Sequence, residues 1–113
     1  MNIIICGAGR VGFTIAKQLS EQGHSITVID PSSEDIQKID DALDVKAIVG
    51  KGSYPSILEN ANAQEADMII AVTRNDEINM VICQIAFSIF KIPKKNCKNK
   101  ISRLSKPQVY NCL

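Results

Sequence analysis

The sequence predicts an α/β fold, a doubly wound parallel sheet flanked by helices. Three observations carry that expectation. Short β-branched runs alternate along the chain with segments of helical period. The first run, Asn2–Cys6 (NIIIC), is apolar almost without a break, as in strands covered on both faces. Three glycines, Gly7, Gly9 and Gly12, stand between that run and the first helical segment. The 113 residues suit one domain, and the 45% apolar content favours a packed core over a disordered chain.

The elements follow in order. Asn2–Cys6 is the first strand. Residues 10–22 place Val11, Ile15, Ala16 and Leu19 at helical spacing, and Gly23 is a stop signal. Ser25–Asp30 (SITVID) is the second strand. Pro31, Ser32 and Ser33 turn the chain into a second helix, whose first-turn acids Glu34 and Asp35 suit the helix dipole. Ile36, Ile39 and Leu43 continue that helix. Residues 45–49 form a third strand, Gly50 to Ser53 a turn, and 56–63 a short helix. Residues 68–72 (MIIAV) are the fourth strand. A long helix over 75–90 carries Ile78, Ile82, Ile85, Ala86 and Ile89 on its apolar side. The βα alternation predicts right-handed crossovers and strand order 3-2-1-4, with a fifth strand due after Pro93.

Composition removes several classes of function. A net charge of +1 gives no general pull toward nucleic acid or an acidic membrane surface. The four cysteines, Cys6, Cys83, Cys97 and Cys112, form no C-x-x-C pair, and His24 is the single histidine, so no zinc site is expected. Cys6 and Cys83 lie in apolar runs, where cysteine behaves as a small hydrophobe. Met1 and Asn2 lead straight into the first strand, so no leader is expected, and no apolar stretch is long enough to cross a bilayer. A soluble cytoplasmic domain with reduced thiols is the expectation.

The glycines acquire meaning from their neighbours. They leave a strand and open a helix, as a dinucleotide fingerprint requires. Gly7 allows the tight turn, Gly9 lets a pyrophosphate approach the backbone, and Gly12 lets the helix pack close to its strand. Amide groups of the first helical turn then face the phosphate. Asp30 ends the second strand, about 20 residues on, where a carboxylate accepts from ribose hydroxyls. A carboxylate there repels a 2′-phosphate, so the preference is for NAD(H) or an unphosphorylated adenine nucleotide over NADP(H). Arg10 either pairs with the pyrophosphate or projects into solvent. Lys51 either reaches the ligand edge of the sheet or is an exposed turn residue. Thr73 and Arg74 follow the fourth strand and face the nicotinamide side or the phosphates, while Asp76 and Glu77 contact the ligand or cap the long helix. His24 belongs to a surface turn. No catalytic set stands out, and no second domain holds a substrate, which favours a sensor over an enzyme.

Residues 1–95 closely resemble the N-terminal nucleotide-binding domain of the TrkA proteins of Trk potassium uptake, within the wider group of domains regulating potassium conductance. The matching text is IIICGAGRVGFTIAKQLSEQGHSITVID and then VGKGSYPSILENANAQEADMIIAVTRNDEINMVICQIA. The resemblance implies a non-enzymatic regulatory subunit at the cytoplasmic face of the plasma membrane. It implies NAD(H), and ATP or ADP in many members, as ligands. It implies an integral-membrane potassium transporter subunit as partner and assembly of several copies. The implied ligands are Gly7, Ala8, Gly9, Arg10 and Val11 around the pyrophosphate, Asp30 on the ribose, and Thr73 and Arg74 beyond the fourth strand. The family usually carries Asn or Asp where this chain has Lys51.

The tail departs from that pattern. After the long helix the family continues with a strand of the type K-I-A-R-I-R, whereas this chain reads Lys94-Lys95-Asn96-Cys97-Lys98-Asn99-Lys100, too polar for a buried strand. The codons AAA-AAA-AAT-TGC-AAG-AAT-AAG encode that string, and removing one A from the leading run yields K-K-I-A-R-I-R. Residues 1–95 are therefore expected to form the nucleotide domain and 96–113 a divergent, frameshifted tail closing early after Leu113. The fifth strand would be degraded or absent, leaving the fourth strand's edge unpaired, unless 101–104 supplies a makeshift strand. With the frame restored, the resemblance implies an arginine ligand where Lys98 stands. Two rivals to the sensor remain: a small NAD-dependent oxidoreductase fragment, and a non-functional remnant. The long helix is expected either to form a dimer contact or only to cover the sheet.

Overall fold

The computed structural model describes residues 1–97 and 111–112. Its strands are β1 (Asn2–Cys6), β2 (Ser25–Asp30), β3 (Lys46–Val49), β4 (Met68–Ala71), β5 (Lys94–Cys97) and β6 (Asn111–Cys112). Its α-helices are α1 (Arg10–Glu21), α2 (Ser33–Ala42), α3 (Pro55–Asn60) and α4 (Asp76–Ser88), and a 3-10 turn spans Ala63–Glu65. The strands pair in parallel in the order β3-β2-β1-β4-β5-β6. The expected 3-2-1-4 order is therefore present, and α1 and α2 lie on one face with α3 and α4 on the other.

β1 shows why its residues choose this place. Ile3 and Ile5 point into the layer shared with α1 and α2, with Ala16, Val28, Ile36 and Ile39. Ile4 and Cys6 point into the opposite layer, with Leu58, Ile69, Ile82 and Ala86. Alternate side chains of a strand point to opposite faces, so only a continuous apolar run fills both layers. Gly23, at φ 89°, takes the chain out of α1 as its position predicts. The Ser32 hydroxyl caps α2 by accepting from Asp35 N–H at 3.2 Å, with Glu34 and Asp35 in the first turn. Leu43 lies just beyond that helix, at its C-cap.

Two expectations need correction. The first concerns α4. Ile82, Cys83 and Ala86 are buried, with Asn79, while Ile78 and Ile89 are exposed. The helix is rotated toward Asn79, so the inward line starts one residue later than the isoleucines suggested. The second concerns the edge of β4, expected to be unpaired. β5 pairs with it in register, Met68 opposite Lys94 and Ala71 opposite Cys97, and β6 pairs with β5 in turn. Ladder bonds join backbone groups, which every residue but proline supplies whatever its side chain. Delivery is what matters. Phe90 and Ile92 are buried, Lys91 takes φ 55°, and Ile92 N–H donates to Ala86 O at 3.0 Å. These contacts turn the chain back from α4 onto β4. The boundary expected at residue 95 falls inside β5, and 101–104 lies outside the described residues.

Candidate functional site

A cleft of about 560 Å³ opens at the carboxyl ends of β1 to β4. In an open α/β sheet, ligands lie in this crevice, where the crossovers change face. Here the change falls between β1 and β4. Gly7, Gly9, Asp30, Lys51, Thr73 and Arg74 all line the cleft, so residues from four separate segments meet there.

The three glycines hold three different positions. Gly7 has φ 125°, and its N–H donates to Ile29 O at 2.8 Å; a Cβ there would stand 2.8 Å from the Val72 carbonyl oxygen. A Cβ on Gly12 would collide with the Gly7 carbonyl, so the helix approaches its strand only through glycine. Gly9 is the opposite case: nothing stands within 4 Å of the place a Cβ would take. That space belongs to the cleft. The ladder of α1 begins with Phe13 N–H donating to Gly9 O at 2.8 Å, and the amides before it look outside the helix for acceptors. An anion fits this cradle by charge and by shape.

Asp30 does more than its position in the sequence indicated. One carboxylate oxygen accepts from Ala8 N–H and the other from Ser32 N–H, both at 2.8 Å. It braces the glycine turn against the start of α2. Each carboxylate oxygen keeps further acceptor capacity for a sugar hydroxyl. The Ala8 amide faces Asp30 rather than a phosphate.

Across the cleft, the β4–α4 loop is built from its own bonds. Thr73 Oγ1 donates to Asn79 Oδ1 at 2.6 Å, turning the hydroxyl toward the helix. The Asn75 side chain accepts from Ile78 N–H at 2.9 Å and caps α4, so Asp76 and Glu77 occupy the first turn and not the cap. Arg74 is exposed on the rim, and Lys51 holds its ammonium 5.7 Å from the Tyr54 ring centroid. Arg10 and Val11 are exposed at the start of α1, outside the cleft lining, and Gly12 is buried beneath it. Lys98 lies outside the described residues.

Cys6 forms part of the floor. Burial, with Cys83 and Asp30 nearby, pushes its thiol far above the ordinary range, so it is a neutral wall group and not a nucleophile. His24 Nδ1 lies 3.1 Å from the Met1 ammonium, at the amino end of the sheet and away from the cleft. Among the described residues, no group of three or more His, Cys, Asp or Glu is placed to hold a metal, and no helix is long and apolar enough to cross a membrane. Tyr54 and Asn79 go unmarked in the sequence, and Ser32 is read there only as part of the turn into α2. Only Asn79 had a signal there: an amide at the spacing of Ile82, Cys83 and Ala86.

A glycine turn, a helix N-terminus and an acidic strand end around one crevice place the chain in the class of Rossmann-like domains, whose clefts take nucleotides. More narrowly, it belongs to the TrkA-N domain family, whose model matches residues 3–110. It is 43% identical over 108 residues to the Trk system potassium uptake protein TrkA of Azorhizobium caulinodans, covering 96% of this chain and 24% of that relative. The chain thus spans about a quarter of that relative's length. Among solved structures, the Shewanella denitrificans Kef CTD in AMP-bound form has a TM-score of 0.80 at 21% identity, covering 100% of this chain and 72% of that one. The GsuK channel bound to NAD has a TM-score of 0.77 at 19% identity, covering 96% and 21%.

Proposed function

We propose that this chain is the nucleotide-sensing domain of a potassium-uptake regulator, with NAD(H) as its ligand and ATP or ADP as competitors. The open space at Gly9, between the α1 amides and Asp30, is the observation that carries the reading. The amides of the first turn of α1 hold the diphosphate, Asp30 accepts from the ribose, and Arg74 neutralises charge from the far rim. Arg10 and Val11 contribute backbone amides. Two proteins of the same fold are described with ligands of this class, the GsuK channel with NAD and the Kef domain with AMP, which supports a nucleotide as the ligand.

The output is a population shift: the nucleotide binds one arrangement of the assembly better and passes that bias to an integral-membrane potassium transporter. Exposed Ile78 and Val81 on α4, with Ile89 at its C-cap, support self-association. The site of action is the cytoplasmic face of the membrane. In this reading the chain regulates without turnover, in keeping with its relatives, which are named as potassium uptake proteins and not as dehydrogenases.

Calorimetric titration of NADH and ATP into the protein tests this directly. A thermal melt at one hundred times Kd should show a gain of about 2.7 kcal/mol. Gly9→Val should abolish NADH binding and leave the melt of the unliganded protein nearly unchanged, because the new side chain enters open space. Retained affinity in that variant sinks the reading. Steady NADH consumption with a candidate carbonyl substrate would favour the oxidoreductase instead.

A further inference from the structure

The inward line of α4 is Asn79, Ile82, Cys83 and Ala86. Asn79 breaks its apolar character, yet it is 0% exposed. A buried amide is costly unless it is bonded, so its partners reveal what it holds. Three bonds join it to one residue. Thr73 N–H donates to Asn79 Oδ1 at 2.9 Å, Thr73 Oγ1 donates to the same oxygen at 2.6 Å, and Asn79 Nδ2 donates to the Thr73 carbonyl at 3.2 Å. The amide, hydroxyl and carbonyl of Thr73 are therefore gripped together. Capping does not explain this, because Asn75 already caps the helix.

Thr73 is a wall of the cleft, and Arg74 follows it on the rim. The order β2-β1-β4 sets Asp30, the glycine turn and Thr73 in a row across the cleft. A nucleoside monophosphate with its ribose at Asp30 ends at the glycine turn. A dinucleotide continues past it to residues 73–75. We infer that Asn79 is a positioning residue for the second half of a dinucleotide, locking Thr73 so that the loop and Arg74 stand ready beyond the diphosphate. The inference rests on the nucleotide reading of the cleft and deepens it: Asn79 governs the preference for dinucleotide over mononucleotide.

The test is calorimetric titration of NADH and of AMP into the unaltered chain, Asn79→Ala and Thr73→Val. The valine removes the hydroxyl's bond to Asn79 from the other partner, together with its bonds to the Asn75 backbone, and spares the core. NADH affinity should fall about tenfold in Asn79→Ala and about threefold in Thr73→Val, with AMP affinity held within about twofold. A purely structural asparagine would weaken both ligands together, and that result overturns the inference while the cleft reading stands. Absence of binding by either ligand to the unaltered chain removes the cleft reading and the inference with it. If Asn79→Ala does not fold, the NADH-to-AMP ratio in Thr73→Val decides, and an unchanged ratio overturns the inference.

Discussion

β1 and β5 belong to one sheet but arise in opposite ways. In β1, Ile3, Ile4, Ile5 and Cys6 are each at most 2% exposed and supply both core layers. Its side chains make it a strand. β5 is Lys94-Lys95-Asn96-Cys97, with no hydrophobic pattern, yet it pairs with β4 along all four residues. It is a strand because Phe90 and Ile92 anchor the chain beside a sheet edge that already exists. Apolar patterning thus finds strands that organise the core. It misses strands that backbone pairing adds to a finished edge.

The largest expected effect separates the two directly. Ile5→Ala should lower stability by about 2–5 kcal/mol, read as a shift in the urea midpoint, because it empties a site sealed in the core. Asn96→Ala should cost less than about 1 kcal/mol in the same measurement. Equal losses would break the comparison.

The next effect lies where β1 meets the cleft. Asp30→Ala should weaken NADH by about 1.5–3 kcal/mol in calorimetry. It should also lower Tm, since the Ala8 and Ser32 amides lose their acceptor. Weaker binding without a change in Tm would mean that Asp30 does not brace the glycine turn.

A smaller effect probes the sealed end of β1. Burial first, and then Cys83 and Asp30, keep the native Cys6 thiol protonated, whereas the unfolded thiol ionises above about pH 9. The unfolded state then binds fewer protons, so stability should fall as pH rises, by about 1 kcal/mol at pH 10. Urea melts from pH 8 to 10 should show a shallower fall in Cys6→Ala, and identical slopes would mean that the thiol is not sealed. The smallest effect sharpens the other side of the comparison. Asn96→Ile should raise stability by about 0.5–1 kcal/mol if side chains as well as backbone can strengthen β5. No gain would mean that delivery alone makes that strand.

The candidate site divides along the same line. Gly7, Gly9, Gly12 and Asp30 were legible because their spacing fixes them at the carboxyl ends of two adjacent strands. Thr73 and Arg74 were legible as residues following a strand. The inward turn of the Thr73 hydroxyl was not, because its partner Asn79 sits on a helix whose rotation the isoleucine pattern had put one residue off. The two alternatives for the Arg10 side chain stay open in the sequence, since a motif places a backbone and leaves the side chain's direction undetermined.

The sequence by itself determined the order of elements, the 3-2-1-4 sheet and the glycine turn with its acidic partner. Each follows from local periodicity and from short connections that leave few topologies. Only the tertiary structure decided that a polar string becomes β5, that Asp30 spends both carboxylate oxygens on backbone amides, and that Asn79 faces inward to grip Thr73. These outcomes depend on meetings between segments, where one partner's geometry sets what the other can bond, and no spacing within a single segment encodes them.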